Sequence, residues 1–407
     1  MSNLSSKLEA TGEATTGHPQ KLVLKVVGAV AFSHLLNDLI QSALPSIYPL
    51  LKTKFSLDFT QIGWISLVYQ FTASMLQPWV GLYTDKHPKP FLLPMGMAVT
   101  LAGIGMLSIS SSYEMLLVAS ALIGVGSSTF HPEASRVARL ASGGRFGTAQ
   151  SSFQVGGNSG SAIGPLLVAT IVMPHGQGAI GWFMAVALAA ILVLSWITHW
   201  RLHHAPASVV AAGKHAYVRL SRSQVVRALV VIGVLMFAKF IYIAAFTNYF
   251  TFYLMQRFDL TAQQSQIHLF AFLAAVAAGT FVGGPVGDRI GRKAVIWISF
   301  MGVAPFALML PHANLFWTTT LSIAVGLVMS SAFAALVVYA QEAVPGRVGM
   351  VGGIMFGLMF GIGGIGAAGL GHLADLYGIV WVYGLCAFLP LLGVATALLP
   401  STRVKAA

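Results

Sequence analysis

The sequence predicts an all-α integral membrane protein, with twelve transmembrane helices in two pseudo-symmetric six-helix bundles. Three observations carry that prediction. Of 407 residues, 56% are hydrophobic and only 8% charged, where a soluble domain carries about 25% charged residues. Twelve apolar runs of membrane-crossing length follow one another, at about 22–50, 60–83, 91–109, 114–138, 146–173, 178–200, 225–255, 263–286, 294–311, 315–341, 348–373 and 377–399. The first six runs also share local features with the last six.

Taken in order, residues 1–20 are polar and lack the apolar core and cleavage pattern of a signal peptide. They are expected to form a disordered cytoplasmic tail. Residues 21–200 hold the first bundle, 201–223 a polar cytoplasmic linker, 224–400 the second bundle and 401–407 a cytoplasmic tail. The linker histidines His203, His204 and His215 lack tight metal-ligand spacing, so a solvated connection is expected there. The single cysteine, Cys386, lies in an apolar run, which excludes an intrachain disulfide.

A net charge of +12 would suit a nucleic-acid partner, but the placement of the charges points elsewhere. With the amino terminus in the cytoplasm, Lys86, Lys89, Arg136, Arg139, Arg201, Arg227 and Lys293 fall at inner ends, whereas Lys52, Lys54 and Arg257 fall outside. That excess orients the chain with both termini cytoplasmic. The basic balance is therefore topology, and no nucleic-acid partner is expected.

The first run carries polar residues at mid-depth. At 100° per residue, His34, Asp38, Gln41 and Pro45 share one narrow sector, with Asn37 and Tyr48 at its edge. An ionisable group at bilayer depth costs roughly 2.5–3.5 kcal/mol on insertion scales and normally faces a wet cavity or a partner. Lys239 lies about as deep in the seventh run, the counterpart of the first. Asp38 is thus expected to bind a proton, with Lys239 pairing with it or holding an anionic substrate; a static ion pair between the halves is the competing reading. His34 stands one turn before Asp38 and can bond it or titrate with it. His131 precedes Pro132, which is expected to free the Ser128 carbonyl inside the fourth run. For both histidines a plain structural bond competes with a ligand or proton role. Tyr242, Phe246 and Tyr249 follow Lys239 on its face and would line either a substrate wall or the core.

The repeats lie at the inner ends. Gly81-Leu-Tyr-Thr-Asp85-Lys86 in the second–third loop aligns with Gly284-Pro-Val-Gly-Asp288-Arg289-Ile-Gly291-Arg292-Lys293 in the eighth–ninth loop. Glu133-Ala134 matches Glu342-Ala343, and Arg145-Phe-Gly147 matches Arg347-Val-Gly349. Asp85, Lys86, Arg136, Arg145, Asp288, Arg289, Arg292, Glu342 and Arg347 are read as a cytoplasmic salt-bridge layer that latches and releases the halves. Glu133, beside His131, is a candidate for both latch and proton coupling. Gly156, Gly160 and Gly164 recur as Gly353, Gly357 and Gly361, two stripes expected to allow close helix packing.

G-x-x-x-D-[RK]-x-G-[RK]-[RK], matched fully by Gly284–Lys293 and partly by the first copy, resembles the signature of the major facilitator superfamily. Within that superfamily, Ser33-His34-x-x-Asn37-Asp38, Phe130-His131-Pro132-Glu133-Ala134 and Phe153-Gln154-Val-Gly156-Gly157-Asn158 resemble the fosmidomycin resistance protein group. The resemblance implies proton-coupled efflux of small anionic compounds, such as the phosphonate fosmidomycin, across a bacterial inner membrane. The proton gradient would supply the energy with no cofactor, and the expected partners of the chain are substrate, protons and lipid. On that reading Lys239 and His131 contact the anion, while Asn37, Gln41, Gln154 and Asn158 supply hydrogen bonds. Ser120 stands four residues before Gly124-Val-Gly126, where proton-coupled exporters of the family often place arginine. Uptake by proton symport of a sugar or small metabolite therefore stays open. A membrane-embedded enzyme is a further alternative, but no nucleophile–base–orienter set shares a motif and no metal-spaced pair occurs. The chain is expected to be a monomer and not an enzyme.

Overall fold

A computed structural model describes residues 23–86, 89–143, 146–203, 220–344 and 348–400. The predicted tails, most of the linker, Arg145 and Arg347 lie outside the described residues, as do the side chains of Asp85, Lys86, Asp288 and Arg289. Among the described residues the chain is helical, with no strand.

The first half comprises α1 (Leu24–Ser46), α2 (Tyr48–Phe55), α3 (Phe59–Lys86), α4 (Leu92–Ile109), α5 (Tyr113–Ser128), α6 (Phe130–Leu140), α7 (Phe146–Leu167), α8 (Met173–His175) and α9 (Phe183–His203). The second comprises α10 (Arg222–Phe258), α11 (Ala262–Ile290), α12 (Arg292–Met301), α13 (Ala304–Met309), α14 (Leu315–Ser330), α15 (Ala332–Ala343), α16 (Val348–Tyr377), α17 (Ile379–Cys386) and a 3₁₀ segment, Leu389–Leu398. Several crossings are jointed. The fourth bends at Thr129 between α5 and α6, and the tenth at Ser331 between α14 and α15. Among the described residues, ten crossings are long and apolar enough to span a bilayer by length and composition. The other two, α1 with α2 and α3, are diluted by His34, Asn37, Asp38 and Gln41 and by Gln61, Gln70 and Gln77. Trp64, Trp79, Trp182 and Trp317 are exposed, as suits an interfacial belt.

Helix starts follow local chemistry. Ser221 and Gln224 form a capping box at the head of α10, whose 37 residues span about 55 Å. At α3, Asp58 accepts the Gln61 N–H (2.6 Å), while the Asp58 N–H donates to Gln61 Oε1 (3.0 Å). The next two N–H groups of α3, at Phe59 and Thr60, donate to Asp375 at 2.8 and 2.7 Å, and the Thr60 hydroxyl does so at 2.6 Å. Asp375 lies near the end of α16, so the second half caps a helix of the first.

Close packing uses one predicted glycine stripe and not the other. A Cβ on Gly160 would sit 2.8 Å from the Leu35 carbonyl carbon and 2.9 Å from the Leu39 nitrogen, and one on Gly164 2.9 Å from the Leu39 oxygen. These contacts join α7 to α1, as expected. Gly357 and Gly361 instead have nothing within 4 Å of a built Cβ, and Gly353 lies outside the described side chains. The glycines of α16 that do make close contact lie further along: Gly363 and Gly364 against Gln70 and Leu67, Gly366 against Ile241, and Gly371 against Phe59. Together with Ser66 donating to Asn248 Oδ1 (2.6 Å) and Gln266 donating to the Ser46 carbonyl (2.7 Å), they close the bundle at the end that carries Asp375.

Candidate functional site

The polar face of α1 meets the joint between α5 and α6. His34 Nδ1 lies 2.7 Å from the Phe153 carbonyl of α7. A carbonyl only accepts, so Nδ1 carries the hydrogen and Nε2 is left for Asp38, whose Oδ2 is 3.3 Å away. A neutral ring would face the ionised carboxylate lone pair to lone pair. A single proton between the two atoms would relieve that approach. The other oxygen, Oδ1, accepts from Asn37 Nδ2 (2.9 Å) and lies 3.9 Å from His131 Nε2. His34 stacks on Phe153 at 3.9 Å, which fixes its ring plane. Gly157 makes room for the cluster, because a Cβ there would lie 2.7 Å from Asp38 Oδ2. The Asp38 and His131 side chains keep 18% and 16% of their surface exposed, whereas His34 keeps 4%.

His34, Asp38 and His131 each offer a donor atom, and those atoms all lie within 4.8 Å of one another. Bonds of about 2.05 Å to a tetrahedral zinc would place ligand atoms about 3.4 Å apart. The His34–Asp38 separation of 3.3 Å matches that spacing, and the His131–Asp38 separation of 3.9 Å is wider.

One turn further on, Gln41 Nε2 donates to Ser127 Oγ (2.6 Å) and Gln41 Oε1 accepts from the Tyr69 hydroxyl (2.5 Å). Both ends of this amide are thus satisfied within the protein, and Asn37 spends its amino group on Asp38. These two residues position the site, where a role as free substrate contacts was expected. Gln154 and Asn158 on α7 are half-buried and make no hydrogen bond with a described residue, so their amides remain available.

The expected partnership of Asp38 with Lys239 is not formed. Lys239 Nζ donates to the carbonyls of Met329 (2.7 Å) and Ser330 (3.4 Å), and the residue is 3% exposed. Those carbonyls lie where α14 ends at the Ser331 joint; that of Met329 also takes the Ser331 N–H, and a lysine is a suitable further cap for both. Tyr242 is also buried, edge-on to Phe246 at 5.3 Å, which places it in the core and off any substrate wall. Pro132 was expected inside a continuous helix, freeing the Ser128 carbonyl; it falls instead in the first turn of α6, which starts at Phe130, where a missing N–H costs little.

A model of the Major Facilitator Superfamily matches residues 30–265 and 235–407. The chain belongs to that superfamily. It is 53% identical over 396 residues, 97% of each chain, to the fosmidomycin resistance protein of Escherichia coli (strain K12). It is 41% identical over 394 residues, 96% of each, to the uncharacterized MFS-type transporter YfnC of Bacillus subtilis (strain 168). Among solved structures it resembles a bacterial homologue of the human lysosomal transporter Spinster in its inward-facing, occupied conformation, with a TM-score of 0.72 and 12% identity over 94% of this chain and 95% of that one. The unoccupied conformation matches with a TM-score of 0.73.

As a major facilitator transporter, the chain also carries the predicted charge layer in part. Glu133 is fully buried, with Arg136 at 2.9 Å and Arg201 at 2.5 Å. Arg136 also donates to the Thr84 carbonyl at 2.9 Å, tying α6 to α3, while Arg201 brings in the end of α9. Two guanidinium groups thus occupy Glu133, which fits a structural clamp in place of the expected proton site. Arg292 approaches Glu342 at 3.9 Å. Sequence reasoning missed Tyr69, Ser127 and the Phe153 carbonyl. Nothing in an aromatic of α3 or a serine of α5 distinguishes them until the fold brings them to Gln41. Gly157 was visible within the Gly-Gly-Asn motif, without its steric reason.

Proposed function

We propose that the chain is a proton-coupled exporter of small anionic compounds, the phosphonate fosmidomycin among them, in a bacterial inner membrane with both termini cytoplasmic. The observation that carries this reading is the Asp38 carboxyl held between His34 and His131, partly open to solvent in an otherwise apolar helix. Its relative's name supplies the substrate class.

His34, pinned by the Phe153 carbonyl, holds a proton against Asp38 Oδ2, and Asn37 holds Oδ1 in place. A substrate whose anionic group rests against His131 and which lays a hydrogen-bond donor on Asp38 holds that carboxyl ionised, so binding on one side of the membrane favours proton loss from the cluster, and the proton gradient reloads it on the other. The halves rock about this site, one end closed by Asp375 and α3 in the conformation described. Gln154 and Asn158 complete the hydrogen bonds to the anion.

Export is tested in inside-out vesicles carrying the protein. An imposed pH gradient, acid inside, should drive accumulation of labelled fosmidomycin, and an uncoupler should abolish it. Accumulation that is indifferent to the gradient would overturn the coupling, and proton-driven accumulation only in right-side-out vesicles would favour symport.

A further inference from the structure

We infer that the predicted cytoplasmic end of α10 holds an anionic phospholipid. A shallow cavity of about 700 Å³ there is lined by Arg222, Ser223, Val226, Arg227, Val230, Val231 and Leu398. Its lining is ordered along the helix axis. At four-residue spacing, Arg222, Val226 and Val230 form one ridge of α10, and Ser223, Arg227 and Val231 form the next. Each ridge is polar at the helix start and apolar deeper in, and Arg222 to Val230 covers about 12 Å. That polarity matches one lipid, with its phosphate at the arginines and the upper part of an acyl chain along the valines.

The opposite wall is anchored. Lys293 donates to the carbonyls of Ala397 (3.0 Å) and Leu399 (2.6 Å), and the Tyr339 hydroxyl donates to the Pro400 carbonyl (2.6 Å). Leu398 is thereby held facing α10 across the groove. Arg222 and Arg227 are exposed and form no ion pair with a described carboxylate. Val226, Val230 and Leu398 are exposed apolar surface that only lipid would cover in a membrane. Two unneutralised guanidinium groups above an apolar groove select an anionic headgroup over a zwitterionic one.

Native mass spectrometry of the full-length protein, delipidated and then offered phosphatidylglycerol or phosphatidylcholine, tests the assignment. Phosphatidylglycerol should be retained at least tenfold more tightly. Arg222→Ala with Arg227→Ala should abolish that preference. Val226→Trp, which keeps both charges and fills the groove, should weaken retention of both lipids. Excess inorganic phosphate should not displace the lipid; displacement would mean that the arginines bind a free anion. Equal retention of the two lipids, or an undiminished preference in the double variant, would overturn the assignment.

Discussion

The two halves place a jointed helix against a polar residue of their first crossing, and they use the arrangement differently. At the α5–α6 joint, α1 brings a carboxyl, one imidazole and two amides to the His131 imidazole of α6, at a place where Asp38 and His131 still reach solvent. At the α14–α15 joint, α10 brings one lysine, sealed in the core and spent on two backbone carbonyls. The backbone need is the same, because a broken helix strands acceptors in an apolar medium. In the second half a cation satisfies them directly. Hydroxyls fold back one turn at both joints, Ser128 and Thr129 onto the carbonyls of Val125 (2.6 Å) and Gly126 (3.0 Å), and Ser330 and Ser331 onto those of Leu327 (3.0 Å) and Val328 (2.9 Å), so the difference lies in the lysine that the second half adds and in the α1 side chains that the first half leaves for chemistry. A repeat can thus keep its architecture while only one copy keeps exchangeable groups.

The sharpest way to break this comparison is to neutralise each half's charge in turn. Asp38→Asn should lower gradient-driven export by about a hundredfold, the scale on which a positioned proton-transfer group counts, while elution and helical content stay as in the parent. Lys239→Met should behave in the opposite way. Taking the lysine's hydrogen bonds from the Met329 and Ser330 carbonyls should cost about 1–3 kcal/mol of stability, seen as a lower melting temperature, with export retained in the folded fraction. A stable Lys239→Met protein that cannot export would restore the lysine to the substrate site.

The glycine stripes provide the next contrast. Gly160→Ala forces a methyl into the Leu35 backbone and should destabilise by about 1–3 kcal/mol. Gly361→Ala meets open space and should be neutral or stabilising by up to about 1 kcal/mol, since alanine favours helix. The smallest effect is expected at the exposed cap between halves. Asp375→Ala should cost about 1 kcal/mol at most, read as a shift toward the state open at that end in spin-label distances across α3 and α16. An unchanged distance distribution would mean that the cap contributes nothing to closure.

Much of this was legible in the chain. The helices, their number, and the face shared by His34, Asp38 and Gln41 follow from apolar length and from the 100° step. The error over Lys239 shows where such reading stops. Depth along a helix can be counted from sequence, but direction around it depends on which neighbour packs there. The neighbour of Lys239 was hidden, because Ser330-Ser331 gives no proline or glycine signal of a helix break. Pro132 failed for the mirror-image reason, since its signal marked a helix start one residue pair after the true break at Thr129. Glu133 looked free because Arg201 is 68 residues away in the chain.

Proton release measured directly on the purified protein, with a pH dye in weak buffer, tests the proton site most closely. Adding fosmidomycin to the parent and to Lys239→Met should release protons in comparable amounts, and adding it to Asp38→Asn should release none. Release that survives in Asp38→Asn, or that vanishes in Lys239→Met with binding intact, would contradict a proton site confined to His34, Asp38 and His131.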